Sequence, residues 1–138
     1  MTKKLAIVGA SGHGKVIADI AELLGYTVHF YDDAYPSKTH IEHWPIHSTC
    51  ADLIARSTTN TALGNDVVVA IGNNEIRKQK IQLLQENNFN IITLIHPSAV
   101  ISHHAEIGEG TVVFAGVVIN AFAKVGVGCI INTAAVVE

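Results

Sequence analysis

Charged side chains are scarce in this chain, 15% of 138 residues, and the balance among them is acidic, with a formal net charge of −3. That leaves no electrostatic case for a nucleic-acid or anionic-membrane partner, either of which wants a basic face. Long hydrophobic runs are missing as well. The most suggestive run, Leu5 to Ala10 after Met-Thr-Lys-Lys, is six residues long and continues into Ser-Gly-His-Gly. It is too short for a membrane span and reads as a buried first strand rather than a signal peptide. Cysteine occurs only at Cys50 and Cys129, a spacing that fits neither a disulfide framework nor a zinc site. Reduced, packed thiols in a cytoplasmic protein are the expectation. Nothing reads as disordered: hydrophobic residues make up 49%. The length suits one compact domain or two small ones, burying roughly two-thirds of the unfolded surface.

What the chain does have is a repeat. An aliphatic residue recurs every six positions at Ile95, Ile101, Ile107, Val113, Ile119, Val125, Ile131 and Val137. Four places after each of the first seven comes a small or modest residue: Ala99, Ala105, Thr111, Val117, Ala123, Cys129 and Ala135. Helices repeat near 3.6 residues and half-buried strands near 2, so a period of six needs another explanation. It is the hexapeptide signature of a parallel β-helix, each hexad giving one short strand and a corner, with three hexads of roughly 18 residues to a coil.

The first 94 residues follow a different pattern. Lys4 to Val8 reads as a strand buried on both faces, and the apolar positions from Lys15 to Leu24 read as a helix that Gly25 ends. Thr27 to Tyr31 is a second strand, closing at Asp32-Asp33. Ala34 to Thr49, with Pro36 and Pro45, reads as a loop with a short extension near Trp44 to His47. A helix over Cys50 to Ala55, a polar loop over Ser57 to Asn65, a strand over Asp66 to Ile71, a helix over Glu75 to Glu86 and a strand over Ile91 to Leu94 complete the segment. Strands alternating with helices imply crossovers and a parallel sheet. The expected organisation is therefore α/β: a Rossmann-like domain over residues 1–94, then the first coils of a parallel β-helix over residues 95–138.

Between the first strand and helix lies Gly9-Ala-Ser11-Gly12-His13-Gly14. A strand, a glycine-rich turn and a helix aim backbone N–H groups at a phosphate, and glycine permits its close approach. The spacing is G-x-x-G-x-G, not the dinucleotide fingerprint G-x-G-x-x-G, so a nucleotide is indicated without pointing to NAD. Asp32 stands 20 residues past Gly12, where a Rossmann enzyme hydrogen-bonds a ribose. The plainer alternative, glycines that merely make a tight turn, stays open, as does an exposed loop role for His13. His40, His43 and His47 have a spacing that on a helix would suggest zinc, but Pro45 interrupts any such helix, and no metal is expected. His103-His104 falls at a β-helix corner, His96 at the domain junction, and Lys15 reads as a solvated lysine.

Gly-Ala-Ser-Gly-His-Gly at 9–14, Asp32-Asp33, Ala-Ile-Gly-Asn-Asn at 70–74, Ile-His-Pro-Ser-Ala at 95–99 and Ile-Asn-Thr-Ala-Ala-Val-Val-Glu at 131–138 together resemble the PglD/NeuD-type sugar O- or N-acyltransferases of bacteria. The resemblance spans the whole chain. It implies a Rossmann-like domain that binds a UDP-linked amino sugar, and a left-handed β-helix that binds acetyl-CoA between neighbouring protomers of a homotrimer. The implied reaction moves an acetyl group to an amine or hydroxyl of the sugar, in the cytoplasm, for surface glycan synthesis, without a metal. Carried over by position, Gly9, Ser11, Gly12, His13 and Gly14 contact the diphosphate or sugar, Asp32 or Asp33 the uridine, and Gly72, Asn73 and Asn74 the nucleotide. Asn132 and Glu138 belong to the catalytic coil.

In the family pattern the general-base histidine follows Glu138 at once, and this chain stops there. With a little over two coils as well, it is expected to be a fragment of a longer protein and inactive by itself. N-acetylation of a UDP-linked amino sugar is the favoured reading. The alternatives are O-acetylation of sialic acid, a non-catalytic UDP-sugar-binding module, and an NAD-dependent oxidoreductase, which the glycine spacing and the hexads disfavour.

Overall fold

The structure is a computed structural model that describes residues 3–57 and 64–138. The expected polar loop after Cys50 to Ala55 lies for the most part outside the described residues. The chain divides into two compact units, Met1–Ile91 and Ile92–Glu138.

In the first unit the strands are β1 (Lys3–Val8), β2 (Tyr26–Tyr31), β3 (His40–Ile41), β4 (Trp44–Ser48), β5 (Asp66–Val69) and β6 (Asn90–Ile91). They form one sheet in the order β3-β4-β2-β1-β5-β6. All neighbours are parallel except β3 and β4, which are antiparallel. Helix α1 (Gly12–Leu23) packs against β1 and β2. Helices α2 (Cys50–Ser57) and α3 (Asn74–Glu86) supply Leu53, Ile81 and Leu84 to a core cluster with Val8, Tyr31, Val67 and Val69. With helices over both faces, β1 and β5 bury consecutive residues, which is why they read as unbroken aliphatic runs.

Three sequence expectations are corrected here. Helix α1 starts at Gly12, not Lys15: Ser11 is its N-cap, and its hydroxyl accepts the Gly14 N–H at 3.4 Å. Glycine's poor helix propensity hid that first turn. The short extension expected near Trp44 to His47 is strand β4, which pairs in parallel with β2 and antiparallel with β3; the correction is β3 itself, a two-residue strand at His40–Ile41 within the stretch read as loop. The strand expected over Ile91 to Leu94 splits. Asn90 and Ile91 pair with β5, whereas Leu94 already pairs with Val112. An aliphatic run that crosses from one unit to the next carries no period to mark the change.

The second unit is the beginning of a left-handed parallel β-helix, built from two-residue strands. The strands are β7 (Leu94–Ile95), β8 (Val100–Ile101), β9 (Glu106–Ile107), β10 (Val112–Val113), β11 (Val118–Ile119), β12 (Lys124–Val125), β13 (Ile130–Ile131) and β14 (Val136–Val137). They stack as three sheets, β7-β10-β13, β8-β11-β14 and β9-β12. Ile95, Val113 and Ile131 are in register, as are Ile101, Ile119 and Val137. Each coil thus takes three hexads, and both hexad files turn inward, Val113, Val117, Ile119 and Ala123 being fully buried. Thr111, 0% exposed, is the polar exception. Its hydroxyl donates to Gly126 O at 2.8 Å and accepts from Cys129 N at 3.1 Å, so a corner is closed without an orphaned polar group.

Candidate functional site

Strand β1 lies between β2 and β5, so the connections leaving it diverge, and a crevice opens at the carboxyl ends of β1 and β5. Open parallel sheets bind ligands at such a switch point. Here the crevice is a cavity of about 210 Å³ bordered by Gly9, Asp32, Asp33, Ile71, Ile76 and Lys80.

The glycine loop forms one wall. Gly9 has φ +113°, and a Cβ there would lie 2.6 Å from the Ala70 carbonyl oxygen. A Cβ on Gly14 would strike the Gly9 carbonyl oxygen, while one on Gly12 would meet nothing within 4 Å. Gly9 and Gly14 are therefore demanded by the fold, and Gly12 faces open space. Asp32 holds the loop from outside: its carboxylate accepts Ala10 N–H and Ala34 N–H, both at 2.8 Å. Lys38 donates to the Ala10 carbonyl.

Asp33 is placed differently. One oxygen accepts Cys50 N–H at 3.1 Å, and the other pairs with Lys80 Nζ at 3.0 Å. The Lys80 hydrogen bond holds the Asp33 carboxyl below the ordinary aspartate value. Burial is the largest single influence on Lys80 and works against its charge, but the Asp33 hydrogen bond and the neighbouring negative charge together keep the ammonium above its ordinary value. Burial pushes the neighbouring Cys50 thiol up, so it stays protonated.

The opposite wall is the start of α3. Asn73 caps the helix, its side chain accepting Ile76 N–H at 3.0 Å. Arg77 donates to Ile71 O at 2.9 Å, to Gly72 O at 3.2 Å and to Asn74 Oδ1 at 2.7 Å, which fixes the Gly72-Asn73-Asn74 turn. His13, on the first turn of α1, is half-buried. Burial first, and the Arg77 charge second, lower its pKa below the ordinary histidine value. Ile76 and Lys80 of α3 border the crevice, so the N-terminus of α3 and the Lys80 ammonium bring donors and positive potential to it.

Of the residues singled out in the sequence, Gly9, Asp32 and Asp33 border this crevice; Ser11, Gly12, His13 and Gly14 form the cap and first turn of α1, and Gly72, Asn73 and Asn74 lead into α3. Asn132 and Glu138 lie in the other unit, both exposed, after β13 and β14 respectively. Arg77 and Lys80 escaped the sequence reading, which gave no site role to any residue of the helix over Glu75 to Glu86. The signal was present: from the cap Asn73, helical steps of three and four reach Arg77 and then Lys80.

His40, His43 and His47 sit on the β3–β4 hairpin, not on a helix. Among the described residues no three His, Cys, Asp or Glu are placed to share a metal ion. Lys15 pairs with Glu42 at 3.2 Å, both exposed. Among the described residues no helix is long and apolar enough to cross a membrane.

A family model of the PglD N-terminal domain matches residues 4–84. The UDP-N-acetylbacillosamine N-acetyltransferase of Bacillus subtilis (strain 168) is 41% identical over 115 residues, which are 82% of this chain and 52% of that protein. Two solved structures share the fold over 99% of this chain. The acetyltransferase domain of PglB from Neisseria gonorrhoeae FA1090, in complex with acetyl coenzyme A, is 35% identical with a TM-score of 0.83, the match covering 64% of its length. A variant of perosamine N-acetyltransferase from Caulobacter crescentus, in complex with CoA and GDP-perosamine, is 32% identical with a TM-score of 0.87, the match covering 63% of its length. The chain spans about half the length of the curated relative it matches.

Proposed function

The chain belongs to the PglD N-terminal domain family, and from that premise we propose that it is the sugar-nucleotide-binding part, with the first acyl-transfer coils, of an acetyl-CoA-dependent N-acetyltransferase acting on a UDP-linked amino sugar. The observation that carries this reading is the switch-point crevice, with its glycine loop, Asp33–Lys80 pair and Arg77-braced turn, in one chain with hexapeptide coils.

In this reading the diphosphate lies against the N–H groups of Ser11 to Gly14, with His13 beside it, and the nucleoside runs toward Asp33. Asp32, with both carboxylate oxygens on backbone N–H groups, shapes the loop more than it touches the ligand. Acetyl-CoA supplies a thioester carbonyl. The sugar amine attacks it, a C–N bond forms, the C–S bond breaks, and the amine proton passes to a base. Asn132 and Glu138 are the orienting residues of the catalytic coil. Assembly as a homotrimer, location in the cytoplasm and a role in surface glycan synthesis complete the proposal. Acetyl-CoA is the only co-substrate it invokes, without a metal.

The test is a transfer assay by mass spectrometry, with acetyl-CoA and a UDP-linked 4-amino sugar, using this chain and the same chain extended by further coils. Acetylated sugar nucleotide from the extended chain supports the reading. A chain that neither binds nor acetylates any nucleotide-linked amino sugar contradicts it. The binding-module alternative predicts uridine nucleotide binding without turnover by both.

A further inference from the structure

The coils pass through a left-handed backbone position every six residues, at Gly110, Gly116, Phe122, Gly128 and Ala134, with φ between 63° and 76°. Glycine takes that conformation freely and alanine at modest strain, whereas a bulky side chain there is an outlier. Phe122 holds the position all the same, and it is 75% exposed. Its ring buries little in return for the strain. An outlier of this kind points to function rather than to packing.

We propose that Phe122, backed by His104, is a stacking platform for the pyranose ring of the acceptor sugar, and so a specificity-determining residue for the transfer. The inference rests on the amino-sugar acetyltransfer reading above.

The geometry of the corner supplies the argument. The Phe122 and His104 rings are stacked, with centroids 5.1 Å apart and planes inclined by 20°, and the His103 ring extends the cluster at 4.0 Å from His104. Both turns that carry these rings are closed. The Ser102 hydroxyl accepts His104 N–H at 3.1 Å, while Ala105 N–H and Ala123 N–H bond the Ser102 and Asn120 carbonyls at 3.0 and 3.2 Å. The platform is therefore formed before any ligand arrives. The face of an aromatic ring carries negative potential and attracts the C–H groups that line one face of a pyranose. The hydroxyl and amine groups at the sugar's edge need polar partners, and the same corner provides them. Ile101, Ile119 and Val137 are in register, which brings the next residues, Ser102, Asn120 and Glu138, into one file beside the platform. A hydroxyl, an amide and a carboxylate are thus at hand. Glu138 belongs, in the proposed function, to the catalytic coil, so a sugar on Phe122 lies at the corner where the transfer is proposed. Residues 102–105 and 120–123 include no Lys or Arg, so a phosphate-bearing group finds no cation on these turns to pair with. That favours the sugar as the occupant over the coenzyme.

The experiment follows the Phe122 ring resonances of the chain labelled with ¹³C-phenylalanine, assigned by their loss in Phe122→Gly. The ligands are UDP, a UDP-linked 4-amino sugar, the methyl glycoside of that sugar, and coenzyme A. The sugar nucleotide and the glycoside should shift the Phe122 ring saturably, and UDP and coenzyme A should not. Phe122→Gly should weaken glycoside binding at least about fivefold and leave UDP affinity unchanged. Its Tm, from circular dichroism melts, should be unchanged or higher, because the strain goes with the ring, and Phe122→Trp should keep the glycoside affinity. A Phe122→Gly that binds the glycoside as wild type does, or whose Tm falls, overturns the inference. So does a ring that responds to coenzyme A alone, or one whose resonances move with protein concentration through contact with a second copy. In each of these cases the sugar-nucleotide reading stands as long as UDP shifts the glycine loop. A chain that binds neither UDP nor the UDP-linked amino sugar overturns that reading, and the inference with it.

Discussion

Gly12 and Gly14 are neighbours in sequence with opposite structural demands. A methyl group on Gly14 meets the Gly9 carbonyl, so Gly14→Ala should destabilise the chain by about 1–3 kcal/mol, in the manner of an overpacked site. Gly12 has open space around it and a helical position. Gly12→Ala should therefore be neutral or stabilising by up to about 1 kcal/mol, and should weaken nucleotide binding, because its methyl occupies the space a phosphate would use. Chemical denaturation and a UDP titration of both variants check the contrast. The sequence placed the three glycines in one loop, but only the contacts separate the structural pair from the free one.

Histidine supplies the pH dependence at this same scale. Burial lowers the His13, His29 and His47 pKa values below the ordinary histidine value. His29 Nδ1 and His47 Nε2 are hydrogen-bonded at 3.0 Å, and His29 Nε2 is buried without a hydrogen-bond partner. Because the folded state takes up these protons less readily than the unfolded one, stability is full above the ordinary histidine pKa of ~6.5 and falls as pH drops through it. Tm should be lower at pH 5.5 than at pH 7.5. His29→Phe, which removes one of the three groups, should shrink that difference; an unchanged or rising Tm on acidification contradicts the assignment.

At the scale of elements, the hexads were legible because each position in the period of six has one environment: file, file, corner. Thr111 occupies a slot that takes alanine, valine or cysteine elsewhere, and no pattern says why. Its hydroxyl bridges Gly126 O and Cys129 N in a buried corner. Thr111→Val keeps the volume and abandons both partners, so it should cost about 1–3 kcal/mol, measured by urea denaturation, with Thr111→Ser recovering part of the loss. Strand β3 was harder to see, because the two residues His40 and Ile41, paired with Pro45 and Trp44, are too few to carry a period. The start of α1 was obscured by glycines that serve the loop first and the helix second. In α3, the apolar stripe of Ile81 and Leu84 was plain. The placement of Lys80 at the crevice and of Arg77 on the Gly72-Asn73-Asn74 turn depends on how the helix docks on β5, which no local pattern records.

The molecule as a whole joins two kinds of architecture: a parallel sheet with a crevice at its switch point, proposed to hold a nucleotide, and stacked hexapeptide coils, proposed to begin an acyl-transfer domain. The sequence announced both, one by a strand, glycine turn and helix, the other by its period of six. It did not announce which charged residues face the ligand, since that follows from sheet order and helix docking. The most direct check is an amide ¹H–¹⁵N correlation spectrum of the labelled chain titrated with UDP. The account predicts saturable shifts at Gly9, Ser11, Gly12, His13, Gly14 and Gly72, with the amides of the coils around His103 and Phe122 unmoved. Saturable shifts confined to the coils, or no saturable shift at the glycine loop, would contradict it.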